Sequence, residues 1–274
     1  MNNGIVQGSS LGPKVFNLYL NDIVDCTKSF SVLYADDTNF LLSFKDHIDL
    51  EKFANNELSV IKDYFDANGL TISTAKTSYM HFKPKGKTYE KVTLKIGDIT
   101  LNEVQELTFL GVVIDKDLNF NSHFQKVYKK ASHGLRGLIL AKNFLTYKAK
   151  NTIYHSLIHS HISYCSIIWI DRIKKSQKNQ LIKLQKKALR AVFNAKYNTH
   201  TSKFFQYSGI TRVENIFKKE SAQITHKFHN RSLPNAIQQM FMESISDPSF
   251  SLRSMKNCVL HPKRELRGTT IYKN

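Results

Sequence analysis

Cysteine is scarce in this chain, and the three present, Cys26, Cys165 and Cys258, are odd in number and far apart. That spacing excludes a disulfide framework and a Cys-x-x-Cys zinc site. No stretch reaches the roughly 18 uninterrupted apolar residues of a membrane span, and no basic segment followed by an apolar run opens the chain. A reducing intracellular setting, nucleus or cytoplasm, therefore fits better than secretion. Internal repeats and low-complexity tracts are also absent. Acidic residues are depleted on one side only: residues 121–274 hold 28 Lys and Arg against 6 Asp and Glu, whereas residues 1–120 hold 12 against 16. The two parts thus carry +22 and −4 of the total +18. Such a split suggests an acidic, metal-binding part joined to a part that holds a polyanion, because basic surfaces draw in phosphate backbones and release their counterions. A membrane surface attracts the same charges, so the balance alone leaves both open.

The 274 residues suffice for one large or two modest domains. The most informative stretch is Tyr34-Ala35-Asp36-Asp37, at the bend between the apolar runs Phe30 to Leu33 and Phe40 to Phe44. It reads as a β-hairpin whose tip presents two carboxylates. At a tight turn both can approach one point and hold a divalent metal, although Asp is also favoured in turns for conformational reasons alone. Before it, Pro13 suits a first helical turn, and Val15, Phe16, Leu18, Tyr19 and Ile23 predict a helix to about Cys26. After it, Ile48, Phe53, Leu58, Ile61 and Phe65 predict a helix from Asp46 to Ala67, stopped by Asn68-Gly69. Strands are expected over Leu70 to Ile72, Ser78 to Phe82 and Leu107 to Ile114. A hairpin is expected where Gly97-Asp98 separates Val92 to Ile96 from Ile99 to Leu101. This first part is α+β.

Beyond about Asn119 the strand signals stop. Phe124, Val127, Tyr128, Ala131, Leu135, Leu138 and Ile139 recur at helical spacing, and Thr146 can cap a helix running toward Ile158. A third helix fits Leu181 to Val192, a further one Arg212 to Phe228, and a loose basic tail follows Ser246. On the third helix Lys183, Lys186, Lys187 and Arg190 share one face at i, i+3, i+4 and i+7. Residues 172–213 contain no Asp or Glu to interleave with them. Four like charges so close repel unless a polyanion neutralises them, which favours a phosphate backbone over plain solvation. His155, His159 and His161 have partial zinc spacing, but no Cys pair or carboxylate supports it.

Several of these residues fall into an ordered set. Gly4-Ile5-Val6-Gln7-Gly8-Ser9-Ser10-Leu11-Gly12-Pro13 comes first, then Tyr34-Ala35-Asp36-Asp37, then Asn68-Gly69-Leu70 with Lys76-Thr77, then Phe109-Leu110-Gly111-Val112. The set resembles palm motifs B, C, D and E of the reverse transcriptases of non-LTR retrotransposons, the jockey-like elements in particular. Tyr164-Cys165, Trp169 and Leu184-Gln185-Lys186-Lys187-Ala188 resemble the region that follows the palm in them, so the likeness covers about the first 190 residues. It departs from the family where Val6 replaces a usual Pro and Lys14 a usual apolar residue. The resemblance implies a partial palm over 1–118, a helical thumb over 119–197 and a basic extension over 198–274. Motif A, with a further metal-binding Asp, would lie upstream, so the chain resembles the C-terminal part of such an enzyme, inactive alone.

The resemblance also implies roles. Asp36 and Asp37 would bind catalytic Mg²⁺, with Mn²⁺ as an alternative, and Lys76 would protonate or neutralise departing pyrophosphate. Gln7, Gly8, Tyr34 and Ala35 would line the nucleotide and template pocket, and Phe109, Leu110 and Gly111 would grip the primer. Implied partners are an RNA template, a DNA primer or target, dNTPs and a separate upstream fingers and palm polypeptide, with no membrane. The other reading is a non-catalytic nucleic-acid-binding protein in which only the basic half acts.

Overall fold

A computed structural model describes residues 8–44, 46–83, 90–246 and 269–273. It is α+β and divides into two compact units, Met1–Leu107 with Arg264–Asn274, and Thr108–Lys263.

The first unit begins with helix α1 (Gly12–Tyr19) and the short α2 (Ile23–Cys26). The single helix expected here is broken between Leu20 and Asp22, where the chain turns so that Leu20 and Ile23 enter the core. Helix α1 buries no residue, and Lys14, Val15, Leu18 and Tyr19 are all exposed. Strands β1 (Phe30–Tyr34) and β2 (Asp37–Ser43) form the expected hairpin, with Phe30 opposite Leu41 and Tyr34 opposite Asp37. Helix α3 (His47–Ala67) follows, its first turn capped by the Asp46 side chain, which accepts from the Ile48 amide at 2.9 Å. Asn68 ends it, and Gly69 takes the left-handed conformation (φ +65°) that a helix stop favours.

Leu70 to Ile72 is not a strand; it leads into a turn before β3 (Ser78–His81). The Gly97-Asp98 hairpin is present with very short strands, β4 (Lys95–Ile96) and β5 (Ile99–Thr100), and β6 (Asn102–Glu103) runs parallel to β3. The largest departure from the sequence reading lies near the C-terminus. Thr269–Lys273, in the tail expected to be loose, forms a strand that pairs antiparallel with both β2 and β3. The five-stranded sheet therefore reads β1, β2, the C-terminal strand, β3, β6. Apolar residues of α3, Leu50, Ala54, Leu58 and Ile61, share one core with Phe40, Leu42 and Tyr79 of the sheet.

In the second unit the expected single strand over Leu107 to Ile114 is a hairpin, β7 (Glu106–Phe109) and β8 (Val112–Asp115), opening at the unit boundary. Helix α4 (Asn121–Ala141) starts where the Asp115 carboxylate accepts from the Asp117, Asn119 and Phe120 amides. Thr146 caps α5 (Tyr147–Tyr154) through the Ala149 amide at 3.3 Å, as its position suggests. A π-helical turn over His155–His159 and α6 (Ser160–Ser163) continue it, and α7 (Ser166–Trp169) precedes α8 (Lys175–Val192). Then come α9 (Ser202–Ser208), α10 (Val213–His229) and α11 (Asn235–Ser246). Phe124, Leu138, Tyr154, Trp169, Leu181 and Leu189 anchor one core.

Candidate functional site

Two residues, Ala35 and Asp36, join β1 to β2. Ala35 has a positive φ of 52°, a conformation that suits glycine at the first position of a tight hairpin turn but strains alanine. Asp36 is thereby placed at the exposed apex, with Tyr34 and Ala35 exposed beside it. Asp37, the first residue of β2, is half-buried and has a partner within the fold. Alternation along β2 puts Asp37 on the face of Asn39, opposite Thr38, Phe40 and Leu42. Asn39 is buried; its Nδ2 reaches the Val32 carbonyl at 3.5 Å, and its Oδ1 has no hydrogen-bond partner among the described residues.

The hairpin is fixed at its base by a residue the sequence does not single out. Glu57 of α3 is buried, and its Oε2 accepts from the backbone amides of Lys28 (2.8 Å) and Ser29 (3.1 Å), immediately before β1. An ionised acceptor shared by two amides is among the stronger hydrogen-bonding arrangements. No motif marks Glu57; it is one acid in an amphipathic helix.

Gln7 lies outside the described residues. Gly8 is exposed, with a positive φ of 85° and open space where a Cβ would stand. Lys76 sits on an exposed turn closed by its own amide to the Ser73 carbonyl at 2.9 Å. The Tyr79 phenol donates to the Val92 carbonyl, and burial pushes it up to about 12.

In the second unit Leu110 and Gly111 form the tip of the β7–β8 hairpin, both with positive φ (43° and 85°). The Tyr164 phenol donates to the Leu110 carbonyl at 2.6 Å, and the Lys126 ammonium to the Gly111 carbonyl at 3.3 Å. Of the basic row on α8, Lys183 and Lys187 are exposed and Lys186 is half-buried. Arg190 is half-buried as well, its Nε donating to the Thr199 carbonyl at 2.9 Å.

Two histidines of this unit, His123 and His159, are engaged in packing. His123 stands edge-on to Trp169, with ring centroids 5.1 Å apart, and accepts at Nδ1 from the Val113 amide at 3.2 Å. Burial, with a smaller contribution from Lys126, lowers it to about 4. Burial likewise lowers His159, then the charges of His155 and Lys219. Among the described residues no three His, Cys, Asp or Glu side chains converge to hold a metal. Among them, too, no helix is long and apolar enough to cross a membrane.

Residues 1–114 match the family described as reverse transcriptase (RNA-dependent DNA polymerase). The chain is 22% identical over 238 residues to a probable RNA-directed DNA polymerase from transposon BS of Drosophila melanogaster, a match covering 83% of the chain and 26% of that protein. It is 24% identical over 209 residues to the RNA-directed DNA polymerase from mobile element jockey of the same species, covering 72% of the chain and 22% of that protein. A retrovirus-related Pol polyprotein from type-1 retrotransposable element R1 of Nasonia vitripennis is 24% identical over 200 residues, covering 69% and 59%. The chain thus spans from about a fifth to three fifths of the length of these relatives. No solved structure matches it.

Proposed function

We propose a function for a chain whose residues 1–114 are a reverse transcriptase domain of the jockey-like, non-LTR retrotransposon kind: it contributes the acid-bearing palm and a basic helical thumb to RNA-directed DNA polymerisation. The palm is residues 1–118, the thumb 119–197, and a basic extension follows over 198–274. The observation that carries this reading is the hairpin tip, where a strained Ala35 turns the chain so that Asp36 projects into solvent beside Asp37.

Magnesium in phosphate-transfer sites takes one or two carboxylates and completes its shell with water and substrate phosphates, so Asp36 and Asp37 fit it, with Mn²⁺ as the alternative. When bound, the metal lowers the barrier for attack by a primer 3′-hydroxyl and for departure of pyrophosphate. The chain's own residues do the rest. Ala35 is small enough to leave a primer end room, and Tyr34 flanks the acids. Gln7 offers a donor and an acceptor to a base, and Gly8, with nothing where a Cβ would stand, lets a nucleotide approach the backbone. Lys76 donates a proton to, or pairs with, the leaving pyrophosphate oxygen. Phe109, Leu110 and Gly111 brace the primer strand, and Lys183, Lys186 and Lys187 face phosphates, with Arg190, its Nε held by the Thr199 carbonyl, at the end of the row.

The partners are an RNA template, a DNA primer or target, dNTPs, and an upstream fingers and palm polypeptide that supplies a further carboxylate. Binding of Mn²⁺ in the presence of a dNTP, followed by electron paramagnetic resonance, tests the metal role. Asp36→Asn should weaken it by at least about tenfold, and an unchanged affinity would remove Asp36 from the site. A second reading, nucleic-acid binding without catalysis, is favoured by the acid-free stretch 172–213 with Lys183 and Lys187 exposed on it.

A further inference from the structure

After α8 ends at Val192 the chain turns back on the helix. Asn194 adopts a positive φ of 52°, and the Ala195 amide returns to the Arg190 carbonyl at 2.8 Å. The Arg190 guanidinium then ties the loop down through Nε to the Thr199 carbonyl. The same guanidinium carbon lies over the ring of Tyr197, 5.9 Å from its centroid. With a cation against one face, Tyr197 is nevertheless 80% exposed. The ring is presented to solvent rather than packed.

Its surroundings carry one sign. Lys183 and Lys187 are exposed on α8, one turn and about 6 Å apart along the axis. Lys196 is exposed next to Tyr197, and no acid occurs between 172 and 213. Asp171, which pairs with Lys178 at 2.8 Å, stands before the opposite end of α8. A row of exposed cations ending in an open aromatic face is the chemistry that holds a single-stranded nucleic acid: phosphates along the charges, a base on the ring. Duplex bases are already stacked on their neighbours and offer no such face. An anionic membrane would use the charges, but the apolar side of α8 (Leu181, Leu184, Ala188, Leu189) is spent in the core.

We propose that Tyr197, braced by Arg190, stacks an unpaired base of a single-stranded nucleic acid whose phosphates lie along Lys183 and Lys187. The proposal rests on the reading that this unit holds nucleic acid, and it uses nothing of the Asp36 tip. Tyr197 is the binding residue and Arg190 a positioning residue.

The test is fluorescence anisotropy on the full chain, without metal or dNTP, using a labelled RNA or DNA single strand of about twelve nucleotides and its duplex. Tyr197→Ala should weaken single-strand binding about 5- to 150-fold, while Tyr197→Phe, which keeps the ring, should stay within about twofold of the unmodified chain. The duplex should be indifferent to Tyr197→Ala. Lys187→Ala should weaken both ligands and reduce the salt slope on the single strand by about 0.7. Unchanged single-strand binding by Tyr197→Ala, equal loss by the Phe and Ala variants, or equal loss on duplex would overturn the stacking site and leave the wider reading standing. Failure of the unmodified chain to bind either ligand would overturn both. So would binding to phosphatidylserine vesicles alone, which would assign the surface to a membrane.

Discussion

The Tyr164 phenol is hydrogen-bonded to the carbonyl oxygen of Leu110 across 54 positions of sequence, at 2.6 Å. Its ring also lies where a side chain on Gly111 would reach, 3.5 Å from an added Cβ. The hairpin tip matched to the primer grip and the Tyr164-Cys165 segment matched beyond the palm are therefore one structural piece. Leu110 holds a positive φ that leucine disfavours, and its carbonyl is the one that Tyr164 holds.

Removing only that hydroxyl, Tyr164→Phe, should cost about 1 kcal/mol, the usual net worth of one hydrogen bond. Amide exchange at Val112 and Val113 should quicken accordingly. Gly111→Ala should cost a similar amount, about 1 kcal/mol, through its φ rather than through a clash. Exchange unchanged in Tyr164→Phe would mean the hairpin holds its shape unaided.

At the other hairpin, Glu57→Ala leaves the amides of Lys28 and Ser29 without their acceptor and should destabilise the first unit by about 2–3 kcal/mol. Glu57→Gln keeps an acceptor oxygen and should lose about half as much. Amide exchange along β1 is the measurement; equal effects of the two variants would show that packing at position 57, not the hydrogen bonds, matters.

Two glycines of α4 should respond in opposite directions. An added Cβ at Gly134 would stand 2.6 Å from the Leu157 carbonyl oxygen and 2.8 Å from its Cβ, whereas at Gly137 nothing lies within 4 Å. Gly137→Ala should stabilise the second unit by about 0.5–1 kcal/mol through helix propensity. Gly134→Ala gains the same propensity but drives a Cβ into backbone, for a net loss of about 1–3 kcal/mol. Trp169, the chain's single tryptophan and fully buried, reports both in urea titrations.

The helical periodicity after Asn119 was legible because α4, α5, α8 and α10 each bury one stripe in a common core. The tip at Asp36 was legible because two apolar runs flank it. The hairpin inside Leu107 to Ile114 was not, since Leu110-Gly111 lacks the Asn-Gly or Asp-Gly signature and its turn is hydrogen-bonded to the distant Tyr164. Nor was the strand at Thr269–Lys273: its partners β2 and β3 lie some 230 and 190 residues away in sequence, respectively, and a five-residue run in a basic tail carries no local mark of that pairing. Arg190 looked like one more cation of the α8 face, and only the folded loop after Val192 shows it bonded to Thr199.

Stability of the second unit should fall with pH. Burial holds His123 at about 4, below its ordinary 6.5, so the unfolded chain binds the extra proton first. The contribution is complete above about pH 6.5 and is lost as pH falls toward about 4, by an amount of order 2–3 kcal/mol. His159 is shifted in the same direction and adds to the slope. Urea midpoints read by Trp169 fluorescence should drop between pH 6.5 and 5, and His123→Gln, which keeps an acceptor for Val113, should flatten that drop. A flat profile for the unmodified chain would show that His123 is protonated in place.

Primer extension on an RNA template with Mg²⁺ and dNTPs asks whether the Asp36 tip is where the chemistry occurs, comparing this chain with a longer version that carries the upstream fingers and motif A. Extension by the longer version should fall by at least about a hundredfold on Asp36→Ala. Extension that survives Asp36→Ala would contradict it, because the hairpin tip would then not be the place where the chemistry occurs.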